Sequence, residues 1–162
     1  MADFSVMMKV PGVTGDVTES AHTGWIRLAQ FSWRARRALA TRVGSVADRE
    51  STAPSVSEVE IRKENDSASG MLMQKFWNGG AQDITFDFVR TGDQDSSEVY
   101  YEVTLSNAIF SYFEQVSTGS RPEESLKINF TKIQNKITGM SALGTDANPF
   151  TTGFDLSTAK PI

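Results

Sequence analysis

The sequence predicts a mainly β domain, with antiparallel strands that bend at corners into a small barrel, one short helix and one extended loop. Three observations carry this expectation. Apolar and polar side chains alternate along most of the chain, the period-two signature of strands with one buried face. The alternation switches parity near Asn107 and again near Lys132, as a strand does at a bend or bulge, and such corners are how a sheet curls on itself. Only one segment, 70–78, sets its apolar residues at helical spacing between turn signals.

The first strand is read from Phe4, Val6, Met8 and Val10 on one face, with Ser5, Met7 and Lys9 on the other. Pro11-Gly12, Gly15-Asp16 and the polar run to Gly24 are turn chemistry leading to a second strand over Trp25 to Trp33. One face of that strand carries Trp25, Arg27, Ala29, Phe31 and Trp33, and the other Ile26, Leu28, Gln30 and Ser32. Both faces are partly apolar, so one of them meets a helix or another subunit, and self-association is the simplest account.

From Arg34 to Ser55 five arginines stand among small residues without an apolar period, and a loop this long is usually functional or disordered. A short helical turn over Arg34 to Thr41 is the alternative. Val56, Val59 and Ile61 alternate imperfectly with Glu58, Glu60 and Arg62, giving a third strand whose charged face suits a sheet edge or a wet surface. The helix, Gly70 to Asn78, is expected to be N-capped by Ser69 and closed by Gly79-Gly80, with Leu72/Phe76 and Met73/Trp77 as i,i+4 pairs on one stripe.

Ile84, Phe86 and Phe88 mark a fourth strand, and 91–95 a polar turn. Val99 to Leu105 alternate until Ser106-Asn107, after which Phe110 and Tyr112 take the opposite parity. Leu126, Ile128 and Phe130 give way to Ile133 and Ile137 across the second predicted bend. Beyond Gly139 only Phe154 and Leu156 are expected to dock.

Bulk properties set the frame. The 162 residues suit a single domain, 1–162, large enough to fold without staples. With 39% apolar and 22% charged residues the chain lies outside the disordered class. A net charge of −4 gives no electrostatic reason to bind nucleic acid or an anionic membrane. The absence of cysteine removes disulfides, thiolate metal sites and a cysteine nucleophile. Neither a leader segment nor a run of 18 apolar residues is visible.

Ser20 and His22 raise the question of a Ser/His/acid hydrolase, but residues two apart on an extended chain point in opposite directions and no G-x-S-x-G elbow occurs. A turn histidine bonded locally is the competing reading. One histidine and no cysteine leave only carboxylates for a metal, and Asp93-Gln94-Asp95 lacks the glycine and terminal glutamate of a calcium loop. The glycines fit no phosphate-binding motif, and no cofactor is implied. The arginines at 34, 36, 37, 42 and 49 are read as pairing with a neighbouring subunit's carboxylates rather than with RNA.

Several segments resemble one family from end to end. Gly15-Asp16-Val17-Thr18 is similar to the G-E-S-x segment of the Hcp family, tube proteins of type VI secretion systems, and His22-Thr23-Gly24-Trp25-Ile26 and Phe31-Ser32-Trp33 to its H-x-G-W-I and F-S-W. Asp66-Ser67-Ala68-Ser69-Gly70 resembles its D-x-[AS]-[ST]-P, with Gly70 where proline is common, and Gly153-Phe154-Asp155-Leu156 matches near the end. Arg34 stands where the family often has glycine, and the loop after it is longer and more basic.

This resemblance implies a structural protein, not an enzyme: a small barrel of two curled antiparallel sheets, six copies of which form a ring. Rings would stack into a tube that a contracting sheath expels with a spike at its tip and that carries effectors in its lumen. The implied partners are further copies of the chain, spike, sheath and baseplate proteins and secreted effectors, with no membrane insertion. The protein would be cytoplasmic before firing and then secreted without a cleaved leader, with no appended toxin domain. By position, Arg42, Val43, Gly44, Ser45, Val46, Asp48 and Arg49 become the ring-stacking loop, Gln30 and Ser32 the lumen face, and Leu72, Met73, Phe76 and Trp77 the helix at the subunit interface. The runner-up is a monomeric barrel that binds a small ligand or peptide in a pocket lined by Trp25, Phe31 and Trp33; a hydrolase comes third.

Overall fold

A computed structural model describes residues 3–39, 43, 53–92, 97–138 and 148–162. Its strands are β1 (Asp3–Lys9), β2 (Ile26–Leu28), β3 (Gln30–Ser32), β4 (Ala35–Arg36), β5 (Ser55–Val56), β6 (Val59–Glu64), β7 (Gln82–Thr91), β8 (Ser97–Val116), β9 (Glu123–Asn129), β10 (Lys132–Ile137), β11 (Phe150–Asp155) and β12 (Lys160–Pro161). Among the described residues one helix, α1 (Ser69–Asn78), precedes β7, and a single 3-10 turn covers Ser20–His22.

Every pairing among the described residues is antiparallel, and together the pairings make a circuit. β2 pairs β1, β1 pairs β7 and β7 pairs β8 on one side, while β3, the continuation of β2, pairs β6, β6 pairs β9 and β9 returns to β8. The predicted barrel of two curled sheets is therefore present, with the 20-residue β8 shared by both. Its first half lies between β7 and β10, and its second half pairs β9. The change of sheet falls at Asn107, whose φ of 51° puts a non-glycine residue in the left-handed region, where sharp bends are made. The second predicted break is the passage through Phe130 and Thr131 that separates β9 from β10.

The core fills the barrel. Met8, Ile26, Ile61, Ile84, Phe86, Leu105, Leu126, Ile128 and Ile133 are buried, and Leu72 on α1 reaches into them. A second, smaller cluster of Met7, Val17 and Val89, with Trp25 and Val99 against it, lies on the opposite face of the first sheet under the 10–25 turn. The predicted outward side of β1 is thus also covered, and Met7 is buried.

Several expectations are corrected. The second strand is two strands: Ile26 and Leu28 enter the core, the chain steps at Ala29, and then Phe31 enters it, 4.8 Å from the ring of Phe86. Ile26 and Leu28 therefore do not share a face with Gln30 and Ser32. β6 lies between β3 and β9, so its charged side is a wet face and not an edge. The helical alternative for residues after Arg34 gives way to a two-stranded ribbon, with Ala35 opposite Val56 and Arg36 opposite Ser55 at the base of the long loop. Ser69 is the first helical residue, not its cap; the N-cap position is Ala68, and the Asp66 carboxylate accepts from the Ala68 N–H at 3.0 Å. Gly79 and Gly80, at φ 65° and 95°, close the helix as expected. Phe154 and Leu156 dock on the core, Phe154 opposite Ile133 on a strand, β11, that the tail composition concealed.

Candidate functional site

Three surfaces of this frame received functional candidates, and the sequence missed a buried fourth feature. On the outer face of the second sheet, Gln30 stands opposite Arg62 and Ser32 opposite Glu60, while Phe31 between them points into the core. The same face continues through Ser125 and Lys127 on β9 to Glu114 and Tyr112 on β8. It holds a shallow depression of about 200 Å³. The Lys127 ammonium lies 3.9 Å from Glu60 and 5.0 Å above the Tyr112 ring. The two candidates for the lumen face thus belong to one wet, charged surface of alternating sign.

The helix candidates divide. Leu72 is sealed in the core of its own subunit, and Met73 and Phe76 are half-buried, with Phe76 packed on the core. Trp77 is 77% exposed and meets Phe76 edge-on, at 5.3 Å between ring centres. Leu72 is therefore no interface residue, whereas Trp77, with the exposed Met71, is free to meet another molecule. Of the stacking-loop candidates, Arg42, Gly44, Ser45, Val46, Asp48 and Arg49 lie outside the described residues, and Val43 is fully exposed.

The buried ion cluster explains the Lys63 to Ser69 segment. Lys63 lies opposite Glu124 in the β6–β9 register, and its Nζ donates to Glu124 Oε1 at 2.7 Å; it also lies 2.8 Å from Asp66 Oδ1. Glu124 accepts further from Ser69 Oγ at 2.8 Å, Asn65 Nδ2 at 3.0 Å and Gln115 Nε2 at 3.0 Å. Burial alone would raise the Glu124 carboxyl, but the donors Lys63, Ser69 and Asn65 outweigh it and hold it below its ordinary value. This network fastens the start of α1 to the sheet, and the Ser69 hydroxyl, expected to cap the helix, is committed to it.

His22 bonds locally, as expected of a turn histidine, and also reaches the sheet. It is 3% exposed, with Nδ1 against Glu19 and Nε2 2.8 Å from Asp87 on β7, and its ring meets Trp25 edge-on at 4.7 Å. Its partners are thus not only local. Both ring nitrogens face carboxylates, which leaves neither to take a proton from Ser20, so the hydrolase arrangement is not built there. The runner-up's pocket is not assembled either. Trp25 packs with Met7, Val17 and Val89, while Phe31 and Trp33 pack on the main core.

A family model described as type VI secretion system effector, Hcp, matches residues 7–137 of the chain. The chain belongs to the Hcp family. Among solved structures, a type six secretion system protein is 18% identical with a TM-score of 0.88, covering 99% of this chain and 100% of that one. Hcp1 from Salmonella typhimurium is 17% identical with a TM-score of 0.76, each chain covered in full. A type VI secretion system effector from Yersinia pestis is 16% identical with a TM-score of 0.68, covering 93% of this chain and 98% of its own. No curated protein matches the sequence. Membership in the Hcp family makes this chain a structural tube protein of type VI secretion.

Proposed function

We propose that this Hcp-family chain closes into a homohexameric ring, and that rings stack into the inner tube expelled by sheath contraction, with effectors carried in the lumen. The observation that carries the ring is the uncovered apolar material on one subunit. Phe150, 67% exposed, lies opposite the exposed Ile137 at the β10–β11 margin, and Trp77 projects from α1. A standard interface buries about 1,600 Å², and its apolar part, at roughly 25 cal/mol/Å², opposes an association cost of about 4–15 kcal/mol. Exposed salt bridges, at about 0–1 kcal/mol each, do not reach that cost, so the apolar margins carry the assembly.

Within this reading Gln30 and Ser32 face the lumen, Trp77 belongs to the subunit interface, and Arg42 to Arg49 reach the next ring. The partners are copies of the chain, the spike, sheath and baseplate proteins, and the effectors. The protein waits in the cytoplasm and leaves without a cleaved leader, and it performs no catalysis. Light scattering after gel filtration tests the ring: six chains of 17.8 kDa give a particle of about 107 kDa. A 17.8 kDa species at every micromolar concentration overturns the proposal. Deleting Arg42 to Arg49 should leave rings intact and abolish stacking in negative-stain images, and stacked rings from the deletion variant would refute the loop's role.

A further inference from the structure

We propose that His22 is a pH-operated latch: its imidazolium clamps the 15–25 turn to the outer face of the first sheet, and its neutral form releases that turn.

The turn is closed on itself by backbone bonds, among them His22 N–H to Glu19 O at 2.9 Å and Trp25 N–H to His22 O at 3.0 Å, which do not depend on the ring's charge. Gly15 N–H donates to Gly24 O at 2.7 Å, Gly24 N–H to Val17 O at 2.9 Å and Val17 N–H to Trp25 O at 3.2 Å. Beyond itself the turn is held at its start by the Asp16 carboxylate, which accepts from the Ser67 hydroxyl and N–H ahead of α1, and across to the sheet by the His22 ring on Asp87 and the Glu19 carboxylate, which accepts from Ser97 Oγ at 2.5 Å. In the imidazolium both N–H groups donate, one to each carboxylate. After loss of a proton one nitrogen carries a lone pair that faces a carboxylate inside a buried site, where an unpartnered polar contact is costly. Asp87 Oδ1 is itself a buried oxygen without a hydrogen-bond partner among the described residues.

The groups around the latch give its direction. Burial pulls the His22 ring down, but its hydrogen bonds to Asp87 and Glu19, and then their charges, more than compensate, so its value is raised above 6.5. Glu19 is held down, chiefly by Ser97. On β8, Glu102 stands opposite Asp87 and is raised by burial and by the Asp87 charge. The cations nearby stand one step further out: Lys136 opposite Glu102, Arg27 opposite Met7 beside Asp87, and Lys9 5.9 Å from the Trp25 ring centre. Both raised groups bind protons more tightly in the folded protein. The clamp is therefore complete below pH 6.5 and is lost as pH rises through the higher folded value of His22. Glu19 and Ser20 also line a cleft of about 1020 Å³ with Arg27, Glu64 and Arg121, so releasing the turn reshapes that cleft.

His22 is the only histidine in the chain, so its ring resonances need no assignment. The test follows carbon-13-labelled histidine by NMR from roughly pH 5 to 9 on the intact protein, with hydrogen exchange by mass spectrometry on the same samples. The expected midpoint lies above 6.5, and protection of the 15–25 peptide, corrected for intrinsic exchange, should fall by up to about tenfold per pH unit between 6.5 and that midpoint and level off above it, with β9 unchanged. Asp87→Asn should move both the midpoint and the loss of protection to lower pH. A wild-type midpoint at or below 6.5, or constant protection of the turn throughout the titration, overturns the proposal whether or not the variant folds.

Discussion

Replacing Lys63 by methionine should be among the costliest single changes away from the apolar core. The side chain keeps its length, so little cavity opens, but the Glu124 carboxylate stays fully buried without its ammonium. Breaking a buried pair from one side costs about 3–5 kcal/mol, and for a chain of this size each kcal/mol lowers Tm by about 2–4 °C. The expected loss is therefore about 6–20 °C by differential scanning calorimetry. Removing both charges in Lys63→Met/Glu124→Leu should recover about 1–4 kcal/mol of that, offset by the donors of Ser69 and Asn65 left without an acceptor. The pH dependence is a second check. In the parent Glu124 lies below 4.5, so its stabilisation is present above 4.5 and fades as pH falls through that lower value. In Lys63→Met the same burial acts without the ammonium and raises Glu124, so acid relieves the penalty and the two proteins converge below about pH 4.5. A loss under about 1 kcal/mol, the worth of an exposed pair, would refute the claim that this cluster is dry and fastens α1.

Gly15→Ala would put a Cβ 2.3 Å from the Trp25 carbonyl oxygen, so the turn backbone must shift; a loss of at least about 1–3 kcal/mol in urea unfolding is expected, with altered near-UV circular dichroism from Trp25. Asn107→Val should cost about 1–2 kcal/mol because valine tolerates the left-handed region poorly, while Asn107→Gly should stay much nearer the parent, since it loses only the 3.3 Å bond to Thr131. Leu72→Ala should cost about 2–5 kcal/mol by calorimetry. Trp77→Ser should leave the subunit's melting unaltered but shift gel-filtration mass from ring towards single chains, and unchanged ring mass would remove Trp77 from the interface.

The features legible from sequence were those set by neighbours in the chain. The helix, its glycine stop and the corner at Asn107 each arise from a few adjacent residues, so spacing and turn chemistry were enough. What escaped depended on partners far away. Little near Lys63 or Asp87 announces burial, because each has a partner far along the chain, Glu124 on β9 or His22 in the 20–22 turn. The step at Ala29 escaped because its N–H bonds to Arg62 O on β6, a pairing that no local alternation records. The ribbon of Ala35–Arg36 with Ser55–Val56 is too short to show a period. Among the site candidates, Gln30 and Ser32 lie together on one wet face, whereas the helix stripe was read without its direction, which sends Leu72 inward and Trp77 outward.

The shared strand β8 also has a consequence for synthesis. Val6 on β1 finds its partner Phe88 only when most of the first half has been made, and neither sheet is complete until both arms of β8 have left the ribosome. Such distant contacts carry a high loop-closure cost and slow folding. The nascent chain therefore holds Met8 and Ile26 in the open while it waits, which makes early release or a pause before residue 116 a hazard for aggregation, and chaperone demand should peak in that interval.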